Sequence, residues 1–324
     1  MGDYVFQQVT NALSAGSLYA LMAVGLAMVF GILRLINFAH GDLMMIAAYL
    51  AAFSLGAGLP LVAVVPLMIV GTVLVALLME RVAYRPIRGA PDVAMLLTSF
   101  AVGQILQNGT LLVTRLADRP RQIAFPSPEG LGGVITLGSI TLPRVNIVSF
   151  VVGTVLLALL TLFVTRTRLG LSMRAAAEDL VASQLVGIKV NRVVAVAFGI
   201  GGALAAVAGL LFATQAGQIN PYMGFGPVLK AFIAAVIGGF GSIPGAVIGG
   251  YVLGILEVLV TAVAGIGDLL PPGSVPDDVR EFLQQWLPSS MSSYRDAFVF
   301  IALILVLLIR PQGILGRRDR EESL

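Results

Sequence analysis

The chain contains no cysteine, which excludes disulfides, thiolate nucleophiles and cysteine-ligated metals. Its single histidine, His40, cannot build a histidine metal cluster or a Ser-His triad. Charged residues are scarce, 11% of the total, where ordinary soluble domains carry roughly 25%. The net charge of +3 is too small to suggest a nucleic-acid partner. No Gly-x-x-x-x-Gly-Lys-Ser/Thr loop is present, so the chain has no phosphate cradle of its own. No ion-coupling cluster of carboxylates stands inside the apolar runs. Glu257 is the main acid there, and it reads as a pore- or interface-facing residue near the external end of its segment. Neither a catalytic residue, a metal ligand set nor a bound cofactor is expected.

What is abundant is hydrophobic: 58% of residues, with a mean hydropathy of +0.96. A soluble domain of this length could not cover that much apolar surface. The expected fold is therefore an all-α polytopic membrane protein in contact with lipid, a single transmembrane domain over residues 1–324. Apolar runs occur at 9–33, 43–55, 61–79, 93–114, 146–165, 193–213, 228–237, 246–264 and 297–309, giving about nine membrane segments within a range of eight to ten. The first run is too long for a cleavable signal and lacks a basic leader. Many of the 37 glycines lie inside apolar runs, where small residues allow close helix packing.

The loops set the orientation. Residues 166–192 form a charged island between two apolar runs, and their excess of Arg and Lys places them in the cytoplasm. Arg81, Arg85 and Arg88 mark a second cytoplasmic stretch, and Arg310, Arg317, Arg318 and Arg320 put the C-terminus inside. Residues 115–145 and 265–296 are then external, and the N-terminus is outside. The first of these external loops carries more Arg than acid, against the usual trend, and its stretch 134–142 alternates like a short hairpin. The second contains a candidate surface helix at 279–287 with Trp286 at the interface.

Within the island, 173–186 is expected to be one short helix, N-capped by Ser172 and stopped by Gly187. Ala175, Ala176, Ala177 and Ala182 make it small and smooth, while Arg174, Glu178 and Asp179 supply polar groups at its rim. Such a helix suits insertion into a cleft on another protein; an ordinary connecting loop is the alternative. Asn37, His40 and Asp42, with Gly41, form a dense polar break between the first two segments. They either line or gate a path, or make an interfacial turn with Asp42 capping the next helix. Thr98, Ser99, Gln104, Gln107 and Asn108 place many polar groups in one segment, for hydrogen bonds between helices or for contact with substrate.

The run 228–237 is too short to cross a bilayer straight. A half-length or re-entrant helix, with the turn Gly238, Gly239, Phe240, Gly241, Ser242, Ile243, Pro244, Gly245 buried in protein, resolves this. The rows Gly241, Gly245, Gly249 and Gly250, Gly254 suit close backbone contact. Ile36-Asn37-Phe38 before Gly41 is echoed by Ile219-Asn220-Pro221-Tyr222 before Gly224, on opposite sides of the membrane. Either this is an inverted repeat, which commonly places a substrate path at its interface, or the echo is chance.

These stretches, together with Glu80-Arg81-Val82-Ala83-Tyr84-Arg85-Pro86, Ala177-Glu178-Asp179 with Gly187-Ile188, and Arg310-Pro311-Gln312-Gly313-Ile314-Leu315-Gly316, resemble the Liv-type permeases of branched-chain amino-acid ABC transporters along nearly the whole chain. The resemblance implies a bacterial inner-membrane subunit, not itself an enzyme. It implies a second related permease, two cytoplasmic ATPases that use ATP and Mg, and a periplasmic substrate-binding protein as partners. Arg174, Ala177, Glu178, Asp179 and Gly187 would lie in the ATPase-coupling loop. Asn37, His40, Gly41, Asp42, Asn220 and Tyr222 are the candidates for the translocation path or gate, and Gly238, Gly239, Gly241, Pro244 and Gly245 for a structural elbow. Members of the family also move urea, short amides and small organic acids, and a stand-alone secondary transporter or channel is a further alternative.

Overall fold

The computed structural model describes residues 2–137, 140–264 and 276–316. The hairpin tip Gly138–Ser139, the part of the second external loop that holds Asp268, and the basic residues Arg317, Arg318 and Arg320 lie outside the described residues. Seven of the described helices are long and apolar enough to cross a membrane. The chain begins with α1 (Gly2–Leu33), followed by α2 (His40–Gly56), α3 (Leu61–Met79) with a π-helical extension Glu80–Tyr84, and α4 (Asp92–Leu116). An extended loop carries β1 (Ile123–Ala124), β2 (Val134–Leu137) and β3 (Ile140–Pro143). Then come α5 (Arg144–Arg166), α6 (Arg168–Glu178), α7 (Leu180–Leu185), α8 (Val190–Ala216), β4 (Gln218–Ile219), α9 (Phe225–Gly238) and α10 (Ile243–Val263). The last described elements are α11 (Asp277–Trp286) and α12 (Arg295–Ile309).

The apolar runs read from the sequence sit inside these helices, except that 246–264 ends one residue past α10, and the run 61–79 coincides with α3. The main difference is at the start. Residues 2–8 continue α1 outward as helix, because Tyr4 donates to the carbonyl of Ala262 at 3.2 Å and Gln7 to that of Thr141 at 3.2 Å. The expected hairpin is present as the antiparallel pair β2–β3, and α11 is the expected surface helix with an exposed Trp286.

Two faces emerge from the contacts. The start of α1, the end of α10 and the β2–β3 hairpin meet on one face. The antiparallel pairing of Ile123 with Ile219 brings the loop before α5 and the segment after α8 together there too. On the other face lie the end of α1, the loop before α4, the segment α6–α7 and the residues after α12. Arg34, Arg88, Lys189 and Arg192 share one cavity wall there, so this is the basic face.

The core is a symmetric pair of units. Helix α1 packs on α10 and α9, and α8 packs on α3 and α2; α2 packs on α3, and α9 on α10. Exchanging α1 with α8, α2 with α9 and α3 with α10 maps each pairing onto another. Since α1 runs toward the basic face and α8 away from it, the two units are inverted.

Helix α10 holds this core through two glycine rows. A Cβ on Gly245 or Gly249 would strike the backbone of Gly238 or Ala234 in α9; one on Gly250 or Gly254 would strike Ala20 or Gly16 in α1. Gly241 does not belong to the first row as expected. It lies before α10, with φ +85°, and its role is conformational.

The two short helices meet head to head. The chain turns back after Arg34, so that His40, opening α2, packs against Gly25 of α1. Gly25 lies about 12 Å inward from the end of α1 at 1.5 Å per residue, so α2 begins within the membrane. With 17 residues in α2 and 14 in α9, they span only about 25 and 21 Å, short of a roughly 30 Å hydrocarbon core. Their first turns touch at Gly41 and Gly224, where a Cβ on either would run into the backbone of the other. Gly41→Val and Gly224→Val are therefore expected to lower stability by at least the ~1–3 kcal/mol of an overpacked core, read as lost membrane abundance and a lower detergent melting temperature. Gly109→Ala, whose Cβ meets nothing within 4 Å, should behave as wild type; equal behaviour of all three would refute a tight crossing.

Candidate functional site

The crossing is built from two matching turns. His40 N donates to the carbonyl of Asn37 at 3.2 Å, and Met223 N donates to that of Asn220 at 3.1 Å. Gly41 and Gly224 follow at the same offset in each turn. The Asn220 side chain also accepts from Tyr222 N at 2.9 Å, while that of Asn37 accepts from the Tyr84 hydroxyl at 2.7 Å. The thin echo in the sequence is thus a structural repeat. Each turn closes locally part of the hydrogen bonding that a break in lipid would leave open.

Around the crossing the polar residues are packed away. Asn37, His40 and Asp42 are 1%, 2% and 5% exposed. The His40 ring occupies a notch between Gly25 and Gly201, and its Nε2 has no partner among the described residues. Asp42 accepts from Gln107 of α4 at 2.9 Å. It makes no side-chain cap to α2, whose N-cap is Ala39. Ser99 Oγ lies 3.4 Å from Phe38 N. So Ser99 and Gln107 make contacts between segments, whereas Gln104 and Asn108 bond within α4 and are exposed. Tyr222 is also exposed, and Asn220 half-buried. The sequence-chosen path residues thus form two groups: Asn37, His40, Gly41 and Asp42 inside the crossing, Asn220 and Tyr222 toward its rim.

Beside the crossing lies a charged cluster that the sequence reading missed. Glu257 of α10 accepts from Lys230 of α9 at 2.7 Å and from the Tyr19 hydroxyl of α1 at 2.5 Å. Arg295 Nε stands 3.4 Å from the same carboxylate, and Asp296 lies 3.1 Å from Lys230. Of the two readings of Glu257, the interface one holds: it is buried and links four helices. Lys230 interrupts an apolar run at a depth where an unpaired charge would be costly, and that was the available signal for a partner acid.

The elbow after α9 is held by the chain's own C-terminal segment. Ile314 N donates to the carbonyl of Ile237 at 2.8 Å, and Leu315 N to that of Gly238 at 2.9 Å. Gly239 has φ +108°, and its missing Cβ leaves room for the backbone of Gly316. Ser242 N-caps α10 by accepting from Gly245 N at 3.2 Å, with Pro244 in the first turn.

On the basic face the expected single helix 173–186 is two helices. Thr167, not Ser172, caps α6, accepting from Gly170 N at 3.0 Å; Ser172 instead donates to the carbonyl of Arg168 within the helix. At Asp179 the backbone turns extended, with φ −151° and ψ 113°, and its carboxylate accepts from Val181 N and Ala182 N at 2.8 and 2.9 Å. The capping carboxylate stabilises a break where alanine content alone favours continuity. Gly187 ends α7 with φ +85°. Met173 and Ala176 point inward, so the smooth alanine face is partly used up by this chain. Arg174, Glu178 and Asp179 are exposed and Ala177 is half-buried. The exposed apolar surface is instead Val181, Leu185 and Val186, at 69%, 83% and 77%.

Residues 8–308 match a family described as the branched-chain amino acid transport system / permease component. The high-affinity branched-chain amino acid transport system permease protein BraD of Pseudomonas aeruginosa is 39% identical over 329 residues, covering 98% of both chains. The corresponding permease protein LivH of Escherichia coli is 38% identical over 332 residues, again covering 98% of both. The autoinducer 2 import system permease protein LsrC of Escherichia coli is 28% identical over 258 residues, 76% of this chain and 70% of its own.

The charged cluster yields a prediction that separates pairing from polarity. Lys230→Met leaves Glu257 with only the exposed Arg295 as counter-charge and is expected to destabilise the chain by about 3–5 kcal/mol, the usual effect of breaking a buried pair. Lys230→Met with Glu257→Met should recover most of that loss. Thermal unfolding in detergent checks this, and additive losses in the double variant would refute a coupled pair.

Proposed function

This chain belongs to the branched-chain amino acid transport permease family, and from that premise we propose that it is the membrane-spanning subunit of an ATP-driven importer for branched-chain amino acids. In this reading the chain provides the path and does no chemistry. Two cytoplasmic ATPases hydrolyse ATP with Mg, a periplasmic protein delivers the amino acid, and a second related permease completes the path. The basic face is cytoplasmic by the positive-inside trend, which puts α6–α7 and the C-terminus on the cytoplasmic side of a bacterial inner membrane. A second reading, import of another small polar solute, is favoured by the likeness to LsrC, whose name assigns it to autoinducer 2 import.

One observation carries the assignment of the ATPase contact. Val181, Leu185 and Val186 expose apolar side chains on a short helical knob outside the membrane segments. Apolar surface gathered on a water-facing knob marks a protein contact. Arg174, Glu178 and Asp179 rim it, and Asp179 and Gly187 fix its entrance and exit, so the knob is braced rather than flexible. Gly170 brings it tight against α5, since a Cβ there would strike the backbone at Val164. Motion imposed on the knob therefore passes to α5 and α8.

Leu185→Glu and Glu178→Arg are expected to leave insertion intact. They should weaken ATPase recruitment by more than tenfold and abolish uptake together, since charge mismatch at an interface costs several kcal/mol. Co-purification with the ATPases and uptake in cells measure this; full recruitment by Leu185→Glu would end the docking assignment.

We place the gate at the crossing of α2 and α9. Asn37, His40, Gly41 and Asp42 hold it from one side, and Asn220 and Tyr222 from the other. Asn37→Ala, His40→Ala and Asp42→Ala should each reduce uptake severalfold at matched membrane abundance. Normal uptake by all three would remove them from the gate. Vesicles holding the purified chain alone should show no uptake until the ATPases are added, whereas uptake without them would support a channel or secondary transporter.

A further inference from the structure

A cleft of about 890 Å³ opens on the basic face. It lies where α1 ends, the π-helical extension of α3 ends, and α4 and α8 begin. All of these elements terminate within a turn or two of its walls, so the cleft sits at the boundary between lipid and water. Its charge is one-sided: Arg34, Arg88, Lys189 and Arg192 line it, with Asp92 as the single acid.

Most of that positive charge is uncommitted. Arg88 is neutralised by Glu80 and also donates to Asn191 at 2.5 Å, yet its Nε is buried without a partner among the described residues. Arg34, Lys189 and Arg192 have no carboxylate within ion-pair distance among the described residues; Arg34 lies over the Phe30 ring at 5.9 Å. Arg34 also holds φ +55°, a left-handed conformation that non-glycine residues rarely adopt and that clusters at functional positions. At the start of α8, the N-cap Lys189 provides no side-chain cap. The positive end of the helix dipole therefore adds to the basic wall. Behind this rim the wall is apolar, with Leu33, Leu35, Ile87 and Met95.

We propose that this cleft binds a phosphoester anion, supplied by the headgroup of an anionic phospholipid. The phosphate sits among Arg34, Lys189, Arg192 and the start of α8, and the glycerol and upper acyl segment lie on Leu33, Leu35 and Met95. A basic rim alone would suit any anion. The apolar back wall at the membrane boundary is what selects an amphiphile, since basic pockets between helices at this depth suit lipid headgroups. Leu180 and Gln184 of α7 also line the cleft, but the exposed Val181, Leu185 and Val186 do not, and the proposal does not depend on the import reading.

The test uses the full chain in detergent micelles, with three probes: phosphatidylglycerol, phosphatidylcholine and inorganic phosphate. Two variants are compared with wild type. Lys189→Gln with Arg192→Gln removes charge, and Arg34→Gly removes charge while suiting the left-handed backbone, so folding is preserved. Phosphatidylglycerol should raise the wild-type melting temperature by several degrees and leave a retained lipid adduct in native mass spectrometry. Phosphatidylcholine and phosphate should do neither, and both variants should lose the adduct and most of the shift. Equal shifts in wild type and variants, or no preference over phosphatidylcholine, would overturn the proposal. Full stabilisation by phosphate would overturn the lipid source. Loss of ATPase recruitment with an unchanged lipid adduct would assign the cleft to a protein partner instead.

Discussion

Backbone broken inside a membrane must find its hydrogen bonds within the protein, and this fold depends on how two such breaks are resolved. Water cannot rescue an open N–H at that depth, so each break must be tight and enclosed. The turns at Asn37 and Asn220 achieve this with the same i to i+3 bond and a glycine one residue beyond it. The glycines then let the two helix starts touch. Because helix starts carry partial positive charge, their meeting would be unfavourable alone. Asp42 stands in the first turn of α2, and Gln107 holds its carboxyl group in place from α4.

The same principle explains why charge appears where it does. Lys230 lies in a helix only 14 residues long, with apolar neighbours on every turn. It is retained because Glu257, Tyr19 and Asp296 surround it. The pair joins α9 to α10, and the tyrosine joins both to α1, the helix that α10 packs against most closely through Gly250 and Gly254. The half-length helix is thereby pinned at three levels: the glycine crossing at its start, the ion cluster along its side, and the C-terminal strap at Gly238.

Much of this was legible in the sequence, and the failures have a common cause. Runs such as 61–79, the hairpin around 134–142 and the glycine-rich elbow are local patterns, and local chemistry decided them. The echo of Ile36-Asn37-Phe38 in Ile219-Asn220-Pro221 was visible, although two shared residues could not establish a repeat until the matching turns and exchanged packing were seen. The break at Asp179 was missed because alanine spacing favours a continuous helix, while a capping carboxylate competes for the same N–H groups. Lys230 and Glu257, 27 residues apart, and the strap of Ile314 and Leu315 on α9, required knowledge of which segments meet. Periodicity within one segment does not contain that information.

The arrangement has a mechanical consequence. The segment α6–α7 is braced to α5 through Gly170 and leads through Gly187 into α8. Helix α8 carries Gly201, one wall of the His40 notch, and packs along α2. A displacement of the basic-face knob therefore reaches the crossing through one continuous helix rather than through loops. By the inverted symmetry, α1 stands to α9 as α8 stands to α2, but α1 has no knob; its basic-face end meets the elbow at Gly241 and, beyond it, the C-terminal strap. The knob segment meets both halves, since α6 packs on α1 as well as on α8 and α5 packs chiefly on α1, while the elbow half is also tethered by the chain's own C-terminal segment. The plane between the two units passes through the contact of Gly41 with Gly224. Glycine at both positions keeps that contact free of interlocking side chains and lets the two backbones meet directly.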